Sequence, residues 1–138
     1  MHKIAVTGHT SGIGNLIYSN YDCKGFSRSN GYDLTLSGTI NLILKEVEDC
    51  DIFINNAFPY VNETSFDHMH IQTQVLYSVY NSWKEDKKLI INIGSNTTDG
   101  IKKTVWPYSA AKESLEKASE QLCYLNNPCK VSLLKLGF

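Results

Sequence analysis

The chain has 138 residues, 42% apolar and 20% charged, with 13 basic against 14 acidic side chains and a formal net charge of −1. This is the length of one domain, 1–138, able to bury about two-thirds of its unfolded surface without a metal or disulfide. Its composition excludes collagen-like, low-complexity and disordered chains. A near-neutral chain with no basic block has no electrostatic footprint for nucleic acid or an anionic membrane. No apolar run approaches the ~20 residues of a membrane span, and the N-terminus carries no signal-like segment. A cytoplasmic location with Cys23, Cys50, Cys123 and Cys129 reduced is therefore expected. His68-Met69-His70 lacks a third ligand at metal spacing, so no metal is expected.

Lys3–Thr7 is a short apolar run ending in a glycine-rich turn, the signature of a buried parallel strand. Ile13–Asn20 reads as a short helix and Cys23–Ser27 as a second strand, followed by a turn at Ser29-Asn30-Gly31. Leu36, Ile40, Ile43, Leu44 and Val47 follow helical spacing across 36–47. Asp51–Asn55 is the next strand. Ser65–Trp83 then carries Phe66, Met69, Val75, Leu76, Val79, Tyr80 and Trp83 at helical spacing. Leu89–Ile93 is the strongest strand signal. Pro107 sits in the first turn of a helix built on Ala110, Ala111, Leu115, Ala118 and Leu122, and Val131–Leu136 is a last strand. Strands alternating with helices predict a doubly wound parallel α/β sheet, reduced in strand and helix number.

Thr7-Gly8-His9-Thr10-Ser11-Gly12-Ile13-Gly14 follows the first strand and opens the first helix. Glycines at 8, 12 and 14 let backbone turn tightly and approach a pyrophosphate, and the helix N-terminus offers it N–H groups. The pattern Thr-Gly-x-x-x-Gly-Ile-Gly resembles the cofactor turn of the short-chain dehydrogenases/reductases, a Rossmann-like family. Three further motifs strengthen the resemblance. Asn55-Asn56-Ala57 ends a strand and is similar to the family's Asn-Asn-Ala-Gly segment, except that Phe58 and then Pro59 follow. Ser95 stands at the C-terminal end of the strongest strand, where α/β sheets place ligands. Tyr108 and Lys112 form Tyr-x-x-x-Lys, and their i, i+4 spacing puts both on one helix face. An ammonium beside a phenol favours the phenolate, which makes Tyr108 a candidate general acid/base.

The resemblance implies that Ser95 orients the substrate oxygen and that Lys112 also holds the nicotinamide ribose. Gly8 to Gly14, with Asn55, Asn56 and Ala57, would hold the rest of the dinucleotide. The family's further catalytic Asn, on the helix before the Ser strand, is matched here by Gln74, which an exposed or helix-packing role would also explain. The second strand's tip reads Gly25-Phe26-Ser27-Arg28-Ser29, with no acid to accept from a ribose hydroxyl and with Arg28 suited to a 2′-phosphate. NADP is therefore expected over NAD, with Ser27, Arg28, Asp33 and Leu34 at the adenosine end. Only four residues separate Arg28 from Asp33, so a helix and most of a strand are absent between them relative to the family.

The expected function is NADP(H)-dependent hydride transfer between nicotinamide and a small carbonyl or alcohol. The alternative is a dinucleotide-binding regulatory or interaction module with little turnover, because the family's C-terminal substrate region has no counterpart here. Trp106 either lines the pocket or packs under the helix start. A homodimer is expected, through the helices bearing Tyr77, Tyr80, Trp83 and Leu115 or through the edge of the last strand.

Overall fold

Short apolar runs that stop at turns form the strands, and longer runs of helical period form the helices that cover them. The computed structural model describes residues 1–59, 68–100 and 106–137. Five strands, β1 (Ile4–Thr7), β2 (Cys23–Phe26), β3 (Ile52–Asn55), β4 (Leu89–Ser95) and β5 (Lys130–Leu136), make one sheet in the order β2-β1-β3-β4-β5. All four pairings are parallel. Among the described residues the helices are α1 (Gly12–Asn20), α2 (Thr39–Glu46), α3 (Ile71–Trp83) and α4 (Trp106–Cys123). The doubly wound parallel sheet expected from the sequence is what the chain forms. No helix among the described residues is long and apolar enough to cross a membrane.

The main core lies on one face, where Ala5, Phe53, Ile90 and Val131 meet Ile43 of α2 and its C-cap Val47, Val75 and Leu76 of α3, and Leu115 of α4. Tyr80, Trp83 and Leu115, expected on a dimer face, are at most 4% exposed and belong to this core. Their helical spacing is the spacing of burial, and burial against the sheet takes them. On the other face α1 sets Ile17 over Val6 and Ile4.

Two boundaries depart from expectation. The helix expected from Leu36 starts at Thr39, because Gly38 takes a left-handed conformation (φ +87°) that breaks the run and leaves Leu36 exposed. The helix expected from Ser65 starts at Ile71; Ser65 and Phe66 lie outside the described residues. The turn after β2 is a 3-10 turn over Arg28–Asn30, in which Ser27 and Asn30 cap each other and Gly31 (φ +93°) closes it. Cys123 is exposed at the end of α4, and its Sγ donates to the Val131 carbonyl.

Candidate functional site

Parallel strands end together, and their carboxyl ends open a crevice where the strand order reverses about β1. A cavity of about 680 Å³ occupies that crevice. Three groups of residues line it. The glycine turn contributes Gly8, Thr10, Ser11, Gly12 and Ile13; the tip of β2 and the loop after it contribute Ser27, Arg28, Tyr32, Asp33 and Leu34; Ala57, Phe58, Tyr108 and Lys112 form the third end.

The glycine turn is held from the neighbouring strand. Asn56 Nδ2 donates to the carbonyls of Thr7 (3.0 Å) and Gly8 (3.3 Å), and the hydroxyl of Thr7 accepts from the backbone N–H groups of Asn56 and Ala57, both at 3.0 Å. Gly8 (φ +71°) makes the turn. Gly14 lets α1 pass against it, since a Cβ there would lie 2.0 Å from the Gly8 carbonyl oxygen. Ser11, at the N-cap of α1, makes no side-chain cap. The N–H groups of the first turn of α1 thus have no side-chain cap from Ser11, and a tight glycine turn before a helix start fits the backbone approach that a pyrophosphate requires.

At the β2 tip, the Ser27 and Ser29 hydroxyls lie 2.7 Å apart beside Arg28. Asp33 Oδ1 accepts from the hydroxyl (2.6 Å) and N–H (2.9 Å) of Thr35. These bonds, with a smaller pull from Arg28, hold its carboxyl below the usual carboxylate range. Tyr32 packs edge-on against Phe26 at 4.8 Å.

At the third end, Lys112 is 3% exposed, and its Nζ donates to Gln72 Oε1 (2.8 Å) and to the Ile93 carbonyl (2.9 Å). One N–H of the ammonium remains for the cavity. Burial lowers its pKa to about 8. The rings of Tyr108 and Phe58 lie 5.4 and 5.5 Å from Nζ and meet each other edge-to-face at 4.9 Å. Phe58, which departs from the family's glycine, thus walls the side of the cavity that holds Tyr108.

Not every expected site residue faces the cavity. The His9 ring turns away onto Gly25, meets the Tyr18 ring at 4.7 Å and a tilt of 53°, and keeps a buried Nδ1 without a partner among the described residues. Gly14 and Asn55 act from behind the cavity wall. Asn55 Nδ2 donates to the Gln72 carbonyl and to Asn92 Oδ1, each at 2.9 Å. Ser95 is 1% exposed, and its Oγ accepts from the N–H (3.2 Å) and hydroxyl (3.0 Å) of Thr97 rather than lining the cavity. The side chain of Trp106 lies outside the described residues.

Gln74 does not take the place matched to the family's Asn. It is exposed, and Gln72 is the amide that reaches Lys112. Two residues on a helix are about 200° of rotation, so one faces solvent when the other faces the sheet. The signal was in the sequence: Gln72 stands three, four and seven residues before Val75, Leu76 and Val79, on the apolar face.

By sequence, no family model and no curated protein matches the chain. The fold does match. A bulky-bulky ketone specific alcohol dehydrogenase from Comamonas testosteroni superposes with a TM-score of 0.82 at 20% identity, over 99% of this chain and 72% of that one. The chain has the fold of the short-chain dehydrogenases/reductases, over part of their length. An alcohol dehydrogenase from the archaeon Thermococcus sibiricus complexed with 5-hydroxy-NADP gives 0.77 at 17% identity, covering 99% and 77%. A short-chain dehydrogenase/reductase from Burkholderia phymatum in complex with NAD gives 0.73 at 16%, covering 99% and 66%. At these identities the likeness concerns the fold.

Proposed function

We propose that this chain is an NADP(H)-dependent oxidoreductase of the short-chain dehydrogenase/reductase type, acting between a small carbonyl and its alcohol, and working as a homodimer. The observation that carries the reading is one cavity with a glycine cradle and an uncapped helix start at one end and Tyr108 beside buried Lys112 at the other. Gly8, Thr10, Ser11, Gly12 and Ile13 would hold the pyrophosphate, with Asn56 and Thr7 fixing their backbone. Arg28, Ser27 and Ser29 would take a 2′-phosphate, since guanidinium and phosphate pair in bidentate fashion. Lys112 would give its remaining N–H to the nicotinamide ribose. When bound, the nicotinamide supplies the hydride. Tyr108 gives its phenolic proton to the substrate oxygen in reduction and recovers it in oxidation.

A second reading, a dinucleotide-binding module with little turnover, is favoured by two observations. Ser95 spends its acceptor capacity on Thr97 away from the cavity, and Phe58 walls the end that holds Tyr108. Calorimetry with NADPH and NADH, followed by NADPH oxidation with a panel of aldehydes and ketones, separates the two. The enzyme reading expects turnover that Tyr108→Phe lowers by about 10²–10⁴-fold with NADPH affinity retained. It also expects Arg28→Ala to weaken NADPH about 10–100-fold while leaving NADH nearly unchanged. NADPH binding without turnover on any acceptor leaves the module. Failure to bind either dinucleotide removes both.

A further inference from the structure

The loop after β3 runs from the mooring of the glycine turn to the Tyr108 end of the cavity. Asn56 and Ala57 give their backbone N–H groups to the Thr7 hydroxyl, both at 3.0 Å, so two consecutive residues are tied to β1. Ala57 also packs on the turn, its Cα and Cβ lying 3.2 Å from where a Cβ on Gly8 would stand. Phe58 comes next, and Pro59 follows it. Proline restricts the backbone of the residue before it to the extended region. The backbone of Phe58 is thus constrained from both sides, which limits where its ring can point.

That ring lies in the corner formed by Tyr108 and Lys112. Its centroid is 4.9 Å from that of Tyr108, edge to face at 78°, and 5.5 Å from Lys112 Nζ. Nζ is in turn 5.4 Å from the Tyr108 centroid, so two rings and an ammonium meet as a nearly equilateral triangle. Edge-to-face pairs and cation–ring contacts are each favourable at these separations. Phe58 and Pro59 are both half-buried, and both line the cavity. The Asn-Asn-Ala-Gly segment that residues 55–58 resemble has a glycine here, which carries no side chain to fill the corner.

We infer that Phe58 sets the acceptor specificity of the site, through the bulk of its ring beside Tyr108. This rests on the oxidoreductase reading above. For Tyr108 to give its proton, the acceptor oxygen must come within about 2.6–3.2 Å of the phenolic oxygen. The carbonyl carbon is one bond further, with its two substituents spread to either side. A phenyl ring packed on the Tyr108 ring flanks that carbon on one side, whatever residues line the other. Hydrogen fits there, and a branched alkyl group meets the ring. The site therefore takes aldehydes and refuses ketones with two branched groups. A misfit of one methylene in such a pocket is worth about 10–200-fold in discrimination.

Two measurements on the full chain test this, each on wild type, Phe58→Ala, Phe58→Leu and Phe58→Trp. The first needs no turnover. With NADPH bound, its fluorescence follows titration with propanamide and with pivalamide, whose carbonyls accept a hydrogen bond and resist reduction. Wild type should bind propanamide at least about tenfold more tightly than pivalamide, and Phe58→Ala should bring the two amides to near parity. The second is kcat/KM for propanal against diisopropyl ketone, a ratio that Phe58→Ala should shift toward the ketone by at least about tenfold. Phe58→Leu keeps most of the bulk and should keep the wild-type preference. Phe58→Trp adds bulk and should sharpen it, and this variant serves if Phe58→Ala misfolds. A chain that binds NADPH yet shows one preference in wild type, Phe58→Ala and Phe58→Trp overturns the inference alone, as does Phe58→Leu behaving like Phe58→Ala. Failure of the wild type to bind either dinucleotide overturns the oxidoreductase reading, and this inference with it.

Discussion

Replacing Lys112 by Met separates the cost of burying its charge from the value of its hydrogen bonds. The amine is 3% exposed, and burial alone brings its pKa from 10.5 to about 8. At about 1.4 kcal/mol per unit, the folded protein bears a cost of about 3 kcal/mol while the amine is charged. The unfolded chain keeps the ordinary value. Between pH 8 and 10.5 the unfolded state therefore holds more proton than the folded state, and stability rises with pH across that window. Below pH 8 both states are charged and the whole cost is present. Lys112→Met removes the cost and leaves Gln72 Oε1 without its donor, a loss of about 1–3 kcal/mol. The Ile93 carbonyl still accepts from Gln72 Nε2 at 3.2 Å. The two effects nearly cancel at pH 7, so the variant should be within about 2 kcal/mol of wild type there. From pH 7 to pH 10 the wild type should gain about 2–3 kcal/mol on the variant. Urea unfolding of both proteins at the two pH values measures the difference, in which the other titrating groups cancel. Curves that stay parallel within about 1 kcal/mol would refute a lysine buried as a charged group.

Gln72→Glu puts a carboxylate where Oε1 now accepts from Lys112, so the amine should titrate nearer its ordinary value; the stability gain between pH 8 and 10 should largely vanish in the same urea experiment. Gly14→Ala drives a Cβ to 2.0 Å from the Gly8 carbonyl oxygen and 2.7 Å from Asn56 Nδ2, neither of which can yield without moving the turn. Scanning calorimetry should show a loss of about 1–3 kcal/mol, and dinucleotide titration should show no binding. Gly12→Ala, with open space around its Cβ and only a left-handed backbone (φ +53°) to strain, should cost less than Gly14→Ala in both measurements.

β1, β3 and β4 were legible because each is a short run rich in β-branched residues that stops at a turn, and parallel pairing buries such runs. Ile4–Thr7 and Leu89–Ser95 needed nothing further. The start of α2 was less legible, because Leu36 has the right spacing while Gly38 has the backbone freedom, and backbone decides. The glycine turn could be read as a motif, but its mooring could not. That Thr7 and Asn56 bind it is a contact across 49 residues, which no local pattern contains. His9 and Ser95 show the same limit. Position in a motif located their backbones, and packing against Gly25 and hydrogen bonding to Thr97 then turned their side chains elsewhere.

The supports of the Lys112 end of the site lie on the face of the sheet that α2, α3 and α4 cover. Asn55 on β3, Asn92 on β4, Ser119 and Lys112 on α4 and Gln72 on α3 form one buried polar network, through Asn55 to Asn92 (2.9 Å), Asn92 to Ser119 (3.0 Å) and Lys112 to Gln72 (2.8 Å). These bonds tie β3, β4, α3 and α4 to one another, although Asn55 Oδ1 is buried without a hydrogen-bond partner among the described residues. None of its members stands on β2, on α1 or on the sheet face that α1 packs against.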